Sequence, residues 1–215
     1  MAGTGVACSL VVGGCEGSKR GGRQQLKKYS NEHFYDDDGK FDAAAAKNAY
    51  YEMMRYYDYP IVPRLGSKDF WTVDFGLGKF TEVGMAGIFW VNNKEHNYFG
   101  HEIYLLGGQM IPEHWHVATA EGGAKLEAWQ VRYGWVYIYG EGEATAGVEQ
   151  RIPPTHKKYA VARREKKLNP GEVGILGSAE EKHWMLAGPD GAIVTEYATY
   201  HDGNGLRFSH PEISF

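Results

Sequence analysis

Two kinds of hydrophobic periodicity divide the chain. From Gln24 to about Tyr59, apolar residues recur at steps of three and four, which predicts a segment with an amphipathic helix. Good helix formers fill the part that begins at Asp42, and Pro60 and Pro63 end the pattern. The front of the folded body is therefore predicted to be helical.

From Asp69 onward the pattern changes to the alternation and short apolar runs of β-strands. Turn signals such as Gly107-Gly108 and Pro189-Asp-Gly191 separate the strands. Such closely spaced strands predict a double-sheet barrel or jelly roll. The predicted strands are Asp69–Val73, Gly87–Val91, Tyr98–Leu106, Met110–Trp115, Glu127–Tyr139, Ala160–Arg164, Gly171–Leu176, His183–Ala187, Ala192–Ala198 and Leu206–Ser209.

Composition narrows the classes of function. The 215 residues suffice for one large domain or two small ones. A net charge of −4 gives no basic footprint for nucleic acid, and no apolar run is long enough to span a bilayer. Both cysteines, Cys8 and Cys15, precede the folded body, so a metal site in that body must use nitrogen and oxygen ligands.

The N-terminus differs from the rest of the chain. Its first fifteen residues carry no charged side chain, and Val12-Gly-Gly-Cys15 resembles a bacterial lipoprotein cleavage box. One interpretation is an exported, periplasmic protein that is lipid-anchored through Cys15; the other is an unstructured apolar N-terminus on a cytoplasmic protein. The predicted organisation is a signal-like tail and linker over 1–22, a helical extension over 23–65 that packs on the barrel, and the barrel over 66–215.

Candidate chemistry concentrates in the middle of the chain. His114 and His116 are two residues apart, as are Lys125 and Glu127, and this spacing places each pair on one face of an extended strand. Two adjacent strands joined by a turn around 118–124 would aim all four side chains into one interior. Two imidazoles and a carboxylate form a ligand set for a divalent transition metal, with positions left open for a substrate.

Two later residues extend this cluster, and each has an alternative interpretation. His183 follows a turn and opens an apolar strand, so its ring either points into a barrel mouth or is a hydrogen-bonded structural histidine. Glu196 lies in a β-rich stretch, where it is either a general base or the partner of an arginine such as Arg207. Lys125 also has two interpretations. It either stands beside a metal, where a dication and burial depress its pKa, or reaches to water from a hairpin rim.

This pattern resembles the first motif of the metal-binding cupin family, in which glycines such as Gly108 and Gly134 flank a His-x-His pair and a glutamate. The gap from His116 to Glu127 is longer than in that motif. Over roughly residues 100 to 210 the chain is similar to one cupin branch, the D-lyxose isomerase family and related sugar isomerases. The matched residues are His114, His116, Lys125, Glu127, His183 and Glu196.

The resemblance implies a mainly β protein with a cupin double-stranded β-helix (jelly-roll) barrel and an N-terminal helical segment. It implies an ion of the manganese type, with Co²⁺, Ni²⁺ or Zn²⁺ also accepted. Lys125 and Glu196 would then handle the protons of the sugar. The implied metal ligands are His114, His116, Glu127 and His183.

The activity that this resemblance implies is aldose–ketose isomerisation of the D-lyxose/D-xylulose or D-mannose/D-fructose type, by proton transfer through a cis-enediol held by the metal. The expected partners are a small-molecule sugar and, by analogy with other cupins, a second copy of the chain. Two other functions stay open at this stage. A metal-dependent cupin oxygenase would use Fe²⁺ and dioxygen, and a non-catalytic carbohydrate-binding cupin would use its metal only to orient hydroxyls.

Overall fold

The structure is a computed structural model, and it describes residues 26–214. Nine strands and one α-helix, α1 (Ala43–Tyr56), form this part of the chain, which confirms the predicted mainly β fold class. Within these residues no helix is long and apolar enough to cross a membrane. The strands are β1 (Phe70–Val73), β2 (Met85–Asn93), β3 (Tyr98–Leu105), β4 (Met110–His116), β5 (Glu127–Gly140), β6 (Arg164–Leu168), β7 (Val173–Ile175), β8 (His183–Ala198) and β9 (Leu206–Phe208).

The helix occupies the part of the predicted helical segment that begins at Asp42. It begins after Asp42, whose carboxylate accepts hydrogen bonds from the amides of Ala44 and Ala45 and so caps the first turn. Before the helix, Oδ1 of Asp36 accepts hydrogen bonds from the backbone amides of Asp38 and Lys40, and these bonds stabilise a turn. This turn reverses the chain and keeps the helix from starting earlier.

One face of α1 packs on the outer surface of the first strands. Ala46, Tyr50 and Met53 are buried there in a cluster that includes Ile88 and Tyr104 from the sheet. The helical segment thus contacts the barrel wall. The domain boundaries proposed from the sequence stay predictions, and the tail over 1–22 lies outside the described residues.

β8 lies at the centre of the sheet. Its C-terminal half pairs with β3 on one edge and with β5 on the other, and its N-terminal half pairs with β4 and again with β5. The expectation that β4 and β5 are adjacent strands is therefore wrong, because β8 lies between them. The remaining strands extend the edges: β1 and β2 beyond β3, β9 beyond β4, and β6 and β7 beyond β5.

The predicted turns at Gly107-Gly108 and Pro189-Asp-Gly191 are bends rather than reversals. β3 and β4 follow one another along β8, both antiparallel to it. The predicted strands His183–Ala187 and Ala192–Ala198 are two halves of one bent strand. Between the pairs Gly134–Ala192 and Val136–Ala187, β5 advances by two residues and β8 by five, so the extra residues form a bulge.

These bends fold the sheet onto itself. Glu127 pairs with Ala198 at one end of the β5–β8 ladder, and His183 lies just beyond the other end, yet their side chains are 2.8 Å apart. The long strands must therefore curl around a common interior. Apolar side chains from both halves of the strands fill it, including Val131, Val136, Met185 and Val194. This curled sheet is the predicted jelly-roll barrel.

Candidate metal centre

Four side chains meet inside the barrel. Each offers one ligand atom, and these atoms all lie within 4.8 Å of one another. The strand pairing explains the meeting: His114 and His116 alternate on one face of β4, and His183 of β8 lies opposite His114 in the register. The curled β5 brings in Glu127. The structure thus brings together all four ligands implied by the sequence resemblance.

Backbone carbonyls fix the orientation of two of the imidazoles. Nδ1 of His114 donates to the carbonyl of Pro112, and Nδ1 of His183 donates to the carbonyl of Glu181, each at 2.8 Å. Because a carbonyl oxygen only accepts, the ring proton belongs on Nδ1. Nε2 of each ring then presents a lone pair, as in metal-binding histidines.

The cluster contains buried polar atoms without hydrogen-bond partners among residues 26–214. They include Nε2 of His116, Nε2 of His183 and Oε2 of Glu127. Glu127 lies 2.8 Å from His183 and 3.4 Å from His116, but neither approach has the orientation of a hydrogen bond. Buried polar atoms rarely lack partners, and three imidazoles with one carboxylate are suited to a divalent transition ion. The residues present fit such an ion.

The protonation of the cluster follows from its burial and its charges. Burial, together with the nearby His183 and His116, holds the pKa of His114 well below its usual value. Burial would raise the pKa of Glu127, but the charges of Lys125 and His183 outweigh it and hold that pKa well below its usual range. Burial would lower the pKa of His183, but Glu127 outweighs it and raises that pKa. Metal binding would therefore compete with a proton on His183.

Lys125 is buried between two carboxylates. Its Nζ donates to Oε1 of Glu127 at 2.7 Å and to Oε1 of Glu196, and it lies 4.5 Å from the ring centroid of Phe99. The residue is only 4% exposed, so its interpretation as a rim lysine is wrong. Burial lowers its pKa, but the two carboxylates outweigh burial and raise it, opposite to the expected direction. Lys125 therefore stays protonated next to Glu127 and Glu196.

Glu196 also faces this interior. Its Oε1 accepts from Lys125, and its Oε2 lies 3.1 Å from Nδ1 of His101. The alternative of an arginine partner is wrong, because Arg207 instead donates to the carbonyls of Asn204 and Leu206. Burial raises the pKa of Glu196, but the charge of Lys125 outweighs it and the net direction is down. Glu196 is thus an ionised, buried carboxylate.

A cavity of about 360 Å³ opens onto these groups. Its walls are otherwise mainly aromatic and aliphatic, with Trp71, Phe89, Phe99, Ile103, Trp129 and Phe208 among them. Such a cavity is large enough for a small ligand and places polar groups on one part of its lining.

Sequence reasoning missed two histidines that line this cavity, His101 and His201. His101 has the same strand parity as the buried Phe99 and Ile103, so the alternation along β3 carried a usable signal. His201 follows β8 in a loop, where no periodicity marks it. Burial, with Lys125 and His116 nearby, lowers the pKa of His201 to about 3.

Comparisons with characterised sequences agree on one kind of relative, although no protein-family model matches the chain. The chain is 34% identical over 163 residues to the D-lyxose/D-mannose isomerase of Thermosediminibacter oceani, a match that covers 76% of this chain and 88% of the relative. It is 33% identical over 140 residues to the D-lyxose ketol-isomerase of Cohnella laeviribosi, covering 65% of this chain and 75% of that protein.

Solved structures show the same fold at lower sequence identity. The L-ribose isomerase of Cellulomonas parahominis without ligand superposes with a TM-score of 0.63 at 14% identity, covering 84% of this chain and 95% of that one. The L-ribose isomerase of an Acinetobacter species in complex with L-ribose superposes with a TM-score of 0.60 at 14% identity, covering 86% of this chain and 96% of that one. These structures share the curled β-sheet architecture with this chain.

Proposed function

The chain belongs to the D-lyxose isomerase family, and from this premise we propose that it is a metal-dependent aldose–ketose isomerase. The proposed reactions are D-lyxose to D-xylulose or D-mannose to D-fructose, since one relative is named for both aldoses. The proposed ion is Mn²⁺, with Co²⁺, Ni²⁺ or Zn²⁺ as substitutes, because mixed nitrogen and oxygen ligands accept all four. The residues that would hold it are His114, His116, Glu127 and His183.

When bound, the ion would act as a Lewis acid that makes the proton on C2 of an open-chain aldose more acidic. Glu196, ionised and buried, takes that proton and returns it to C1 of the resulting cis-enediol. Lys125, which is protonated before the reaction, donates a proton to O1 and then recovers one from O2. One hydrogen moves from C2 to C1 and another from O2 to O1, so the aldose becomes a ketose with no net change in protons.

One observation carries this proposal: Lys125 donates hydrogen bonds both to Glu127, in the ligand cluster, and to Glu196. The ligand cluster and the acid–base pair are therefore in direct contact inside one cavity. Neither an oxygenase nor a passive carbohydrate binder requires a buried lysine–glutamate pair beside its ligands, and the relatives are isomerases, so neither alternative is favoured.

The test combines metal loading with proton exchange. Protein loaded with Mn²⁺ is incubated with D-lyxose or D-mannose in D₂O, and NMR follows the ketose and deuterium at C2 of the recovered aldose. Glu196→Gln should lower kcat by about 100-fold or more, because a general base is removed, while the protein keeps its metal. Exchange by this variant at the wild-type rate would show that Glu196 is not the base.

Glu102→Gln is the matched control. Glu102 is also buried, lies next to His101 on β3, and contacts Tyr59, Trp90 and Thr195 rather than the cavity. The same substitution there should leave exchange within a few-fold of wild type. A wild-type protein that exchanges nothing with either sugar would contradict the isomerase proposal, and oxygen uptake by the iron-loaded protein would support an oxygenase.

A further inference from the structure

His101 is a buried side chain inside the cavity that the proposed reaction leaves without a role. It lies on β3, directly opposite Phe89 of β2 on one edge and Glu196 of β8 on the other. Its Nδ1 is 3.1 Å from Oε2 of Glu196, and the residue is 5% exposed. Among residues 26–214 its side chain hydrogen-bonds to Glu196 and to no ligand of the proposed metal, so it contacts the reaction centre through Glu196.

The surrounding strands fix the plane of the His101 ring. The indole of Trp71 stacks on it at 27° and 5.6 Å between centroids, and the ring of Phe89 meets it nearly perpendicularly at 4.9 Å. Gly87 lies against the same group: a Cβ there would come within 2.4 Å of Nε2 of His101. A glycine at position 87 thus leaves the space that the stacked histidine occupies.

The hydrogen-bond pattern selects one tautomer of His101. Nε2 is buried and has no hydrogen-bond partner among residues 26–214, whereas Nδ1 faces a carboxylate. A proton on Nε2 would be a buried donor without an acceptor, which is costly, and a carboxylate accepts a proton from Nδ1–H. The neutral ring with its proton on Nδ1 satisfies both conditions.

We propose that His101 is a positioning residue that holds the carboxylate of Glu196 in the orientation needed for proton transfer at the sugar. This inference rests on the proposed isomerase function. Lys125 holds one oxygen of Glu196 and His101 holds the other, so the carboxylate cannot turn about its last bond without breaking a hydrogen bond. Each oxygen accepts one of the two hydrogen bonds it can take, which leaves room for the proton from C2.

The first test compares two substitutions, one that keeps the ring and removes the donor and one that removes the ring and keeps a donor. His101→Phe keeps a ring against Trp71 but removes Nδ1–H, and should lower kcat by about 10- to 100-fold with little change in KM, as expected for a misplaced general base. His101→Asn offers a side-chain amide where Nδ1–H was and should recover most of kcat. A loss in His101→Asn as large as that in His101→Phe, or larger, would overturn the proposal in favour of a packing role.

The pH profile separates positioning from stability. A hydrogen bond to the ionised carboxylate lowers its pKa, so its removal should shift the acid limb of the kcat profile to higher pH in His101→Phe but not in His101→Asn. The other titratable groups that surround Glu196, namely Lys125, Glu127 and His201, are unchanged in both variants. An unmoved acid limb would contradict the proposal.

A background variant tests whether His101 acts through Glu196. Glu196→Asp draws the carboxylate back by one methylene, out of reach of Nδ1. In the Glu196→Asp background, His101→Phe should therefore lower kcat by less than twofold. In the wild-type background the same substitution should lower kcat far more. Full additivity of the two losses would overturn the proposal.

A final readout does not need turnover. Nitrogen-15 NMR of labelled protein should show His101 protonated on Nδ1, and Glu196→Leu should shift this signal as the acceptor is lost. Detection of the Nε2–H tautomer in the wild type would overturn the assignment even if the enzyme is active. Conversely, an Nδ1–H tautomer in a protein without isomerase activity would locate the failure in the proposed function.

Discussion

At the scale of single residues, a buried chain of alternating charges organises the site. Glu127, Lys125 and Glu196 are each about 4% exposed, and the lysine bonds both carboxylates. Removing one partner of such a group leaves a buried charge without compensation, which typically costs about 3–5 kcal/mol. Glu196→Gln leaves Lys125 paired with Glu127, whereas removal of Lys125 would leave two buried carboxylates without their cation, so Glu196→Gln is the more informative substitution.

The sequence predicted these residues because strand parity is a local property. His114 with His116, and Lys125 with Glu127, share a face in any extended strand. His101 was missed although the same rule applies to it, since the residues two positions away on its face, Phe99 and Ile103, are apolar and offer no second ligand. The partners of Glu196 were also beyond local reasoning, because its contact with His101 crosses 95 positions of sequence.

His156, which is not among the residues that line the cavity, allows a prediction about pH and stability. It is fully buried with Nε2 unpartnered among the described residues, and burial together with His210 lowers its pKa to about 4. Between that value and an unfolded pKa of about 6.5, the unfolded chain binds more protons, so stability falls as pH drops through this window.

Urea unfolding at pH 7 and at pH 4.5 measures how much the free energy of unfolding falls between these two pH values. We expect this fall to be about 2 kcal/mol smaller in His156→Gln than in the wild type. Because His114 and His201 also have lowered pKa values, some dependence will remain. His96→Gln, at an exposed position between β2 and β3, is the control. Its free energy of unfolding should fall between pH 7 and pH 4.5 by as much as that of the wild type. An equal fall in the free energy of unfolding in His156→Gln and in the wild type would contradict this account.

At the scale of elements, the bend that β3–β4, β5 and β8 share determines where the site lies. The turn residues Gly107-Gly108 and Pro189-Asp-Gly191 correctly predicted the positions of both bends, but they also predicted that the chain reverses there, which it does not. The same turn residues serve a hairpin or a bulge, and only pairing with strands distant in sequence decides between them. Strand positions were therefore predictable, whereas the neighbour relation of β4, β8 and β5 was not.

Two glycines in this bend give a matched pair of tests. Gly134 and Gly108 both have positive φ, at 69° and 80°, so alanine is strained at either position. A Cβ at position 134 would also lie 2.0 Å from the carbonyl oxygen of Gly191, whereas position 108 has nothing within 4 Å.

Gly108→Ala should therefore cost about 1 kcal/mol in the free energy of unfolding, the strain of the left-handed backbone alone. Gly134→Ala should cost about 2–4 kcal/mol, because the backbone of β8 must also move away. Urea denaturation monitored by tryptophan fluorescence measures both. Equal costs at the two positions would mean that the close contact between β5 and β8 does not constrain the bend.

At the scale of the whole molecule, the candidate metal site is a consequence of barrel closure. Its residues come from β4, β5 and β8, and in the unfolded chain 69 positions separate His114 from His183. Strand spacing predicted a barrel or jelly roll, and strand parity predicted His114, His116 and Glu127 as ligands. The resemblance to a sugar-isomerase family favoured His183 as the fourth ligand and implied the roles of Lys125 and Glu196. Export through a signal at Cys15 and assembly into a homodimer stay predictions.

Because the four ligands meet only in the folded barrel, metal binding should stabilise the native state selectively. A ligand that binds the folded form at about 1,000 times its dissociation constant adds about 4 kcal/mol to the free energy of unfolding. We expect the midpoint of thermal unfolding to fall when EDTA strips the protein and to recover with Mn²⁺, with elemental analysis identifying the ion retained on purification.

His116→Gln is the sharpest variant for this experiment, because neither ring nitrogen of His116 has a hydrogen-bond partner among the described residues. Its replacement sacrifices no hydrogen bond in the stripped protein, so the stripped variant and wild type should unfold at similar temperatures, while the increment from Mn²⁺ shrinks or disappears. Glu102→Gln, which leaves the cluster intact, should keep the full increment. A Mn²⁺ increment that survives His116→Gln would place the ion elsewhere in the molecule, and the cluster of three histidines and a glutamate would then need another explanation.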